Sequence, residues 1–333
     1  MNPPEHDNLR AAARNAWTRA TLGDPGALPV RASMDAGFRS YWRVTVAGGT
    51  RIVMDSPPDL EDVRPWLRMH DLLDAGGVRV PGVLSRDVDA GFLLLEDLGT
   101  QTYLHVIDES NADALFDAAI GQLLKLQAIA PPADLPRYDE AMLLRELRLF
   151  DEWFCGRHLG LTLACGELEA LDAAHRLLID TALAQPQVLV HRDFMPRNLM
   201  PAYHGPAVLD FQDAVAGPIA YDVLSLFKDA FLSWPQERID GWVAGYHARA
   251  LDAGLPVPAL ARFRRDVDLI GVQRHLKVIG IFARLCHRDD KPKYLADAAR
   301  FFAYLDAVLP RYPELEGLQR LIDARVKPAM VAP

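Results

Sequence analysis

Two short apolar runs near the middle of the chain each end abruptly on charge. Val188-Leu189-Val190 runs into His191-Arg192-Asp193, and Ala207-Val208-Leu209 runs into Asp210. Runs of this length, bounded by polar residues, read as buried strands. Four residues separate Asp193 from Asn198, and Asp210 lies twelve residues beyond Asn198. A loop that leaves one strand through Asp193, returns through Asn198 and reaches a second strand ending at Asp210 gathers two carboxylates and an amide in one place. Oxygen donors of this kind suit a hard cation, and a carboxylate beside them suits proton acceptance. A bland explanation, polar residues that cap loops, accounts for each residue singly but not for their joint spacing.

The flanking sequence divides into two stretches. Residues 8–20 read as a helix stopped at Gly23, and residues 59–75 as a helix closed by Gly76-Gly77. Residues 39–47 and 51–54 read as strands on either side of the Gly48-Gly49 turn, and Phe92-Leu93-Leu94-Leu95 as a buried strand. From about 110 to 185, and again beyond Pro218, the pattern is helical. A chain of 333 residues is near the practical limit for one core. The expected architecture is therefore α+β and two-lobed. A small β-rich lobe spans 1–98, and a hinge near Glu96–Gly99 leads to a mostly helical lobe over 99–333.

Composition narrows the function. Half of the residues are hydrophobic and 24% are charged, the balance of a globular protein. No apolar run approaches membrane-spanning length, and Met1–Asp7 lacks the basic and apolar regions of a secretory leader. Cys155, Cys165 and Cys286 have no metal-type spacing and read as small hydrophobes in a reducing compartment. A cytoplasmic monomer without membrane association is expected. The net charge of −9 argues against nucleic acid. Yet Arg262–Arg300 holds ten Lys/Arg against five Asp/Glu, which suits either an anion site or a solvated helix face.

His191-Arg192-Asp193 with Asn198 has the spacing of a kinase catalytic loop, and Asp210-Phe211-Gln212 stands where a kinase carries Asp-Phe-Gly. Val190–Met200 together with Leu209–Asp213 resembles the aminoglycoside phosphotransferase superfamily, whose members have the protein-kinase-like fold. Gly217-Pro218-Ile219-Ala220-Tyr221-Asp222 fits the same pattern. Within the superfamily, His191–Met200, Met54-Asp55-Ser56-Pro57-Pro58, and Gly271–Lys277 through Arg284-Leu285 look most like the anomeric sugar kinases of bacterial cell-wall recycling. Those enzymes phosphorylate N-acetylmuramate and N-acetylglucosamine at C1. The resemblance covers most of the chain. It implies ATP and Mg²⁺, with Asp193 orienting the acceptor hydroxyl and accepting its proton. It implies Asn198 and Asp210 as metal ligands, and His191 and Asp222 as structural supports of the loop.

The small lobe departs from the kinase template. The phosphate-covering loop, Asp35-Ala36-Gly37-Phe38-Arg39-Ser40-Tyr41, has one glycine where kinases have three. Phe38, Arg39 and Ser40 remain candidate nucleotide contacts, beside the reading of an ordinary hairpin turn. The first lysine of the chain is Lys125, so the strand Val53-Met54-Asp55 lacks the phosphate-pairing lysine. Arginine can replace that charge. Arg43 and Arg39 rank above Arg51, and Glu61 on the following helix is a candidate to orient such a cation. Leu95-Glu96-Asp97-Leu98-Gly99 looks like the hinge, where by resemblance backbone groups of Glu96 and Leu98 take the adenine.

An amino-sugar acid brings a carboxylate to the acceptor site, whereas an aminoglycoside brings a polycation that asks for Asp and Glu. Arg274, His275, Lys277 and Arg284 of the basic segment are candidate acceptor contacts, as are Arg157, Gln212 and Asp213. An aminoglycoside or other small-molecule kinase is the enzymatic alternative. A silent nucleotide-binding regulator is suggested by the absent lysine and opposed by the presence of Asp193, Asn198 and Asp210.

Overall fold

The computed structural model describes residues 3–34, 38–203 and 205–331. Asp35, Ala36 and Gly37 of the expected phosphate loop lie outside the described residues. The chain packs into two units, residues 1–106 with 197–212, and residues 107–196 with 213–333.

The first unit is a five-stranded antiparallel sheet with helices α1 (Pro3–Leu22) and α2 (Arg64–Ala75). Its strands are β1 (Val30–Met34), β2 (Ser40–Val46), β3 (Gly49–Asp55), β4 (Val83–Asp87) and β5 (Phe92–Glu96), in the order β1-β2-β3-β5-β4. Gly48 at φ +84 turns β2 into β3, a conformation that glycine adopts without steric cost. Val44, Val53 and Leu94 pack with Ala27, Trp17 and Trp42, so the continuous apolar run of β5 is buried on an interior strand, between β3 and β4. Helix α2 begins at Arg64, later than the sequence suggests. The carbonyl of Pro57 takes the N–H groups of Leu60 and Glu61 in a turn, and a proline opens the helix proper. Glu61 therefore stands in this turn and not on the helix. The sequence gives no sign of β1 and β4, which form the two edges of the sheet.

The second unit is mostly helical: α3 (Ala112–Ala128), α4 (Glu140–Leu149) and α5 (Cys165–Leu183). The strands β6 (Gln187–Val190) and β7 (Val215–Pro218) pair antiparallel before α6 (Ala220–Phe227) and α7 (Gln236–Asp252). The chain then enters the 30-residue α8 (Leu260–Asp289) and α9 (Ala298–Val308). Beyond Leu149 the backbone widens into a π-helical stretch, Phe150–His158. Helix α8 packs against α4, α5, α6, α9 and the π-helical stretch, so it is buried nearly all round, charged residues included. A Cβ at Gly280 would lie 2.3 Å from the carbonyl carbon of Leu149, so glycine is what lets α8 approach the start of that stretch.

Candidate active site

In the second unit, β6 delivers His191-Arg192-Asp193 at its C-terminal end. Asp222 of α6 is fully buried and accepts the backbone N–H of His191 (2.7 Å) and of Arg192 (3.0 Å) on its two oxygens. Burial pushes this carboxyl up to about 6, against the pull of His191 and the two N–H groups. The pair of bonds anchors Arg192, whose φ of +76 costs a non-glycine residue free energy unless its surroundings hold it there.

Asp193 stands at the rim of a buried polar network. Its side chain is 47% exposed, and Oδ1 lies 3.1 Å from Arg274 Nη2. Arg274 is buried and also donates to the carbonyl of Arg192 (2.8 Å) and the hydroxyl of Tyr221 (2.9 Å). One turn along α8, Lys277 donates to the same hydroxyl (3.1 Å) and lies 2.9 Å from Glu146 Oε1. Glu146 of α4 also takes Arg192 Nη2 (2.7 Å), Gln273 Nε2 (3.2 Å) and the Tyr138 hydroxyl. Desolvation works against a charge on Asp193, but Arg274 and Lys277 outweigh it. The carboxyl is held below its ordinary value. It is ionised at neutral pH and fixed in direction, the two properties a proton acceptor needs before its substrate arrives.

In the first unit, a short ladder pairs Leu199 with Val208 and Met200 with Ala207, and Leu209 N–H donates to the carbonyl of Asn198 (2.9 Å). Asn198 and Asp210 thus flank one hairpin. Asp210 has φ +64, and its Oδ1 accepts from Gln212 Nε2 (2.8 Å). Phe211 pins this backbone, its buried ring 5.1 Å from Trp66 and 6.3 Å from His70 of α2. An amide oxygen and a carboxylate are the hard donors Mg²⁺ takes. Such a shell is usually completed by phosphate oxygens and water.

Ion pairs at three carboxylates, Glu61, Asp97 and Asp55, organise much of the rest of this unit. Arg39 is buried and lies 3.1 Å from Glu61. Arg43 chelates Asp97 (2.5 and 2.9 Å) and donates to the carbonyl of Gly99 (2.8 Å). Its hydrogen bonds drive the Asp97 carboxyl down to about 2. The cation of Arg43 is thereby committed to the segment 96–99, while Arg39 stands beside the carboxylate that the sequence paired with the nucleotide cation. At the end of β3, Asp55 is gripped by Arg10 Nε (2.8 Å) and Arg14 Nη1 (3.0 Å), one helical turn apart on α1. A carboxylate with its own two counter-ions thus occupies the strand that lacks the lysine.

Other candidates are placed as follows. Phe38 is exposed, and Ser40 Oγ accepts from Trp42 Nε1 (2.9 Å). Glu96 gives its N–H to the Gly82 carbonyl (2.8 Å) and its carboxylate to Arg79 and the Gly82 N–H, and Leu98 is half-buried. Arg157 and Asp213 are exposed, and Arg284 is half-buried. The sequence turns Arg274, His275 and Lys277 toward the acceptor, but the structure folds all three inward because α8 is enclosed by its neighbours. His275 has no exposed surface, and its ring stacks on Tyr304 at 5.0 Å. Sequence reasoning missed Glu146, Tyr138, Tyr221 and Asp97. Only Glu146 leaves a trace, a carboxylate flanked by leucines at 143, 144 and 147.

The pattern of the phosphotransferase enzyme family, APH, matches residues 30–265. An N-acetylmuramate/N-acetylglucosamine kinase of Pseudomonas putida is 52% identical over 330 residues, covering 96% of this chain and 97% of its own. A protein of the same name from Pseudomonas aeruginosa is 47% identical over 327 residues, covering 95% and 97%. Among solved structures, the ADP-bound aminoglycoside phosphotransferase APH(2″)-Ib superposes with a TM-score of 0.60 at 16% identity, over 88% of this chain and 97% of its own. At that identity the likeness speaks for a kinase-like fold.

Proposed function

Because this chain belongs to the APH phosphotransferase enzyme family, we propose that it transfers the terminal phosphoryl group of ATP to the anomeric C1 hydroxyl of N-acetylmuramate and N-acetylglucosamine, released by cell-wall turnover and met in the cytoplasm. The observation that carries this reading is the Asp193 carboxylate, ionised and aimed by Arg274 at the end of β6. Two relatives of nearly the same length, named as kinases of these two sugars, support the choice of acceptor.

Asp193 orients the anomeric hydroxyl and takes its proton as the oxygen bonds to the γ-phosphorus and the bond from that phosphorus to the β-bridging oxygen breaks. A hemiacetal hydroxyl is more acidic than a simple alcohol, so this proton moves late and a weak base suffices. Asn198 and Asp210 would hold Mg²⁺, which neutralises phosphate charge when bound. Arg39, oriented by Glu61, takes the place of the missing lysine as a phosphate partner. Arg43 sets the segment 96–99, where the carbonyl of Glu96 and the N–H of Leu98 meet adenine. No helix of the described residues is long and apolar enough to cross a membrane, which is compatible with a soluble enzyme of small-molecule metabolism.

The test is incubation of the purified protein with Mg·ATP and, separately, N-acetylmuramate, N-acetylglucosamine and kanamycin, followed by ³¹P spectroscopy. The expected product is a sugar 1-phosphate whose formation is abolished by reducing the sugar with borohydride beforehand. Phosphate on kanamycin alone would move the function to antibiotic modification, and no product from any acceptor would favour a silent nucleotide-binding protein.

A further inference from the structure

The loop after α6 and the face of α9 share a polar cluster that the transfer step above does not use, running from buried Asp229 to half-buried Arg300 and exposed Ser233. Asp229 is 3% exposed. Its Oδ1 accepts the N–H groups of Phe231 (2.8 Å) and Leu232 (2.7 Å), while its buried Oδ2 has no partner. The Leu232 carbonyl takes the Tyr304 hydroxyl (2.9 Å), which lies 3.0 Å from Ser233 Oγ. Ser233 Oγ in turn accepts from Arg300 Nη1 (2.5 Å), and the Nε of Arg300, also buried, has no partner. The cluster thus presents one unmatched acceptor and one unmatched donor, joined by a continuous chain of hydrogen bonds. Leaving such a buried group unpaired costs the desolvation it is not repaid for. Tyr304 also stacks on His275, the residue that follows Arg274 on α8, and Arg274 holds Asp193. The unmatched pair therefore belongs to the same packed region as the proton acceptor.

Resting on the reading that the acceptor is an N-acetylhexosamine, we propose that Asp229 and Arg300 recognise its acetamido group, with Asp229 Oδ2 taking the amide N–H and Arg300 Nε–H donating to the amide carbonyl. A secondary amide supplies one donor and one acceptor on neighbouring atoms, the complement of what the cluster lacks. The acetamido group is also common to both sugars. A site built around buried polar groups discriminates strongly, because an analogue without the matching group leaves those groups unpaired. The carboxylate of N-acetylmuramate plays no part in this contact.

The test compares kcat/KM for N-acetylglucosamine and for glucose, which lacks the amide, in wild type, Asp229→Asn and Arg300→Lys. Melting curves confirm that each variant folds. Wild type is expected to favour N-acetylglucosamine at least 100-fold. Each variant is expected to lose at least tenfold of that preference, through KM for N-acetylglucosamine. A preference unchanged in both folded variants overturns the proposal. A calorimetric arm uses methyl N-acetylglucosaminide and methyl glucoside, which have no free C1 hydroxyl. Tenfold tighter binding of the amide-bearing glycoside, lost in both variants, supports the proposal, and equal binding overturns it. Because this arm needs no turnover, it decides the question even where wild type phosphorylates neither sugar, an outcome that would overturn the functional reading alone.

Discussion

Buried charge is handled differently in the two units. In the sheet unit it is broken into separate clamps: Asp55 with Arg10 and Arg14, Asp97 with Arg43, Glu61 with Arg39. Each clamp fastens two stretches of chain and shares no partner with the others. In the helical unit, Glu146, Arg192, Lys277, Tyr221, Arg274 and Asp193 are linked through shared atoms into one body. The separate clamps fix backbone where a nucleotide would need a rigid frame. The linked body sets the direction and protonation of one side chain, which no single pair would do as firmly, because Arg274, which holds Asp193, is itself held by Tyr221 and the Arg192 carbonyl, and these by Lys277 and Glu146.

The largest effect that tests this contrast is at the end of the linked body. Asp193→Asn should lower kcat by about 10²–10⁴-fold, the range for losing a positioned base. ATP binding, read by calorimetry, should change little. Turnover near wild type would remove Asp193 from the chemistry. Arg274→Gln comes next. It removes a cation that favours the ionised carboxylate, so the Asp193 pKa rises and the acid limb of the kcat–pH profile moves to higher pH. An unmoved limb would show that Arg274 merely fills space.

The smallest effect, and the sharpest for the comparison, is coupling. Asp55→Asn with Arg14→Gln should show an interaction energy of about 0.5–3 kcal/mol in a denaturation cycle, as neighbours do. Either change combined with Arg43→Gln should add to within roughly 0.5 kcal/mol, as independent sites do. Glu146 meets Lys277, and Lys277 and Arg274 share the Tyr221 hydroxyl, so Glu146→Gln and Arg274→Gln should couple through them. Additivity there would reduce the linked body to a set of pairs.

How much of this was legible in the sequence depends on what each feature rests on. The strands that carry the loop 191–198 and Asp210 were legible because each apolar run stops abruptly at charge, and the roles proposed for Asp193, Asn198 and Asp210 rest on the spacing between them. The sheet was legible where apolar residues are continuous, as in Phe92–Leu95, and not in β1 and β4, whose strand character comes from pairing partners rather than from their own residues. The π-helical stretch left no signal, since its register depends on how α8 packs beside it. Arg39 and Arg43 were legible only as alternatives. Asp97, which separates them, is an ordinary polar residue until the fold brings it to Arg43. The basic segment misled in direction. Its charge was real, but Arg274 and Lys277 answer Asp193 and Glu146, which lie far away in sequence, and no periodicity reveals a buried charge that is matched across the fold.

Finally, the unit that holds the Arg39–Glu61 pair contains no lysine at all, since none occurs in residues 1–106 or 197–212. If the nucleotide is held by this unit as proposed above, covalent reagents that deliver an acyl group to a nucleotide-site lysine will find no side-chain amine there. Dicarbonyl reagents that condense with guanidinium groups are the chemistry by which such a protein can be marked and counted.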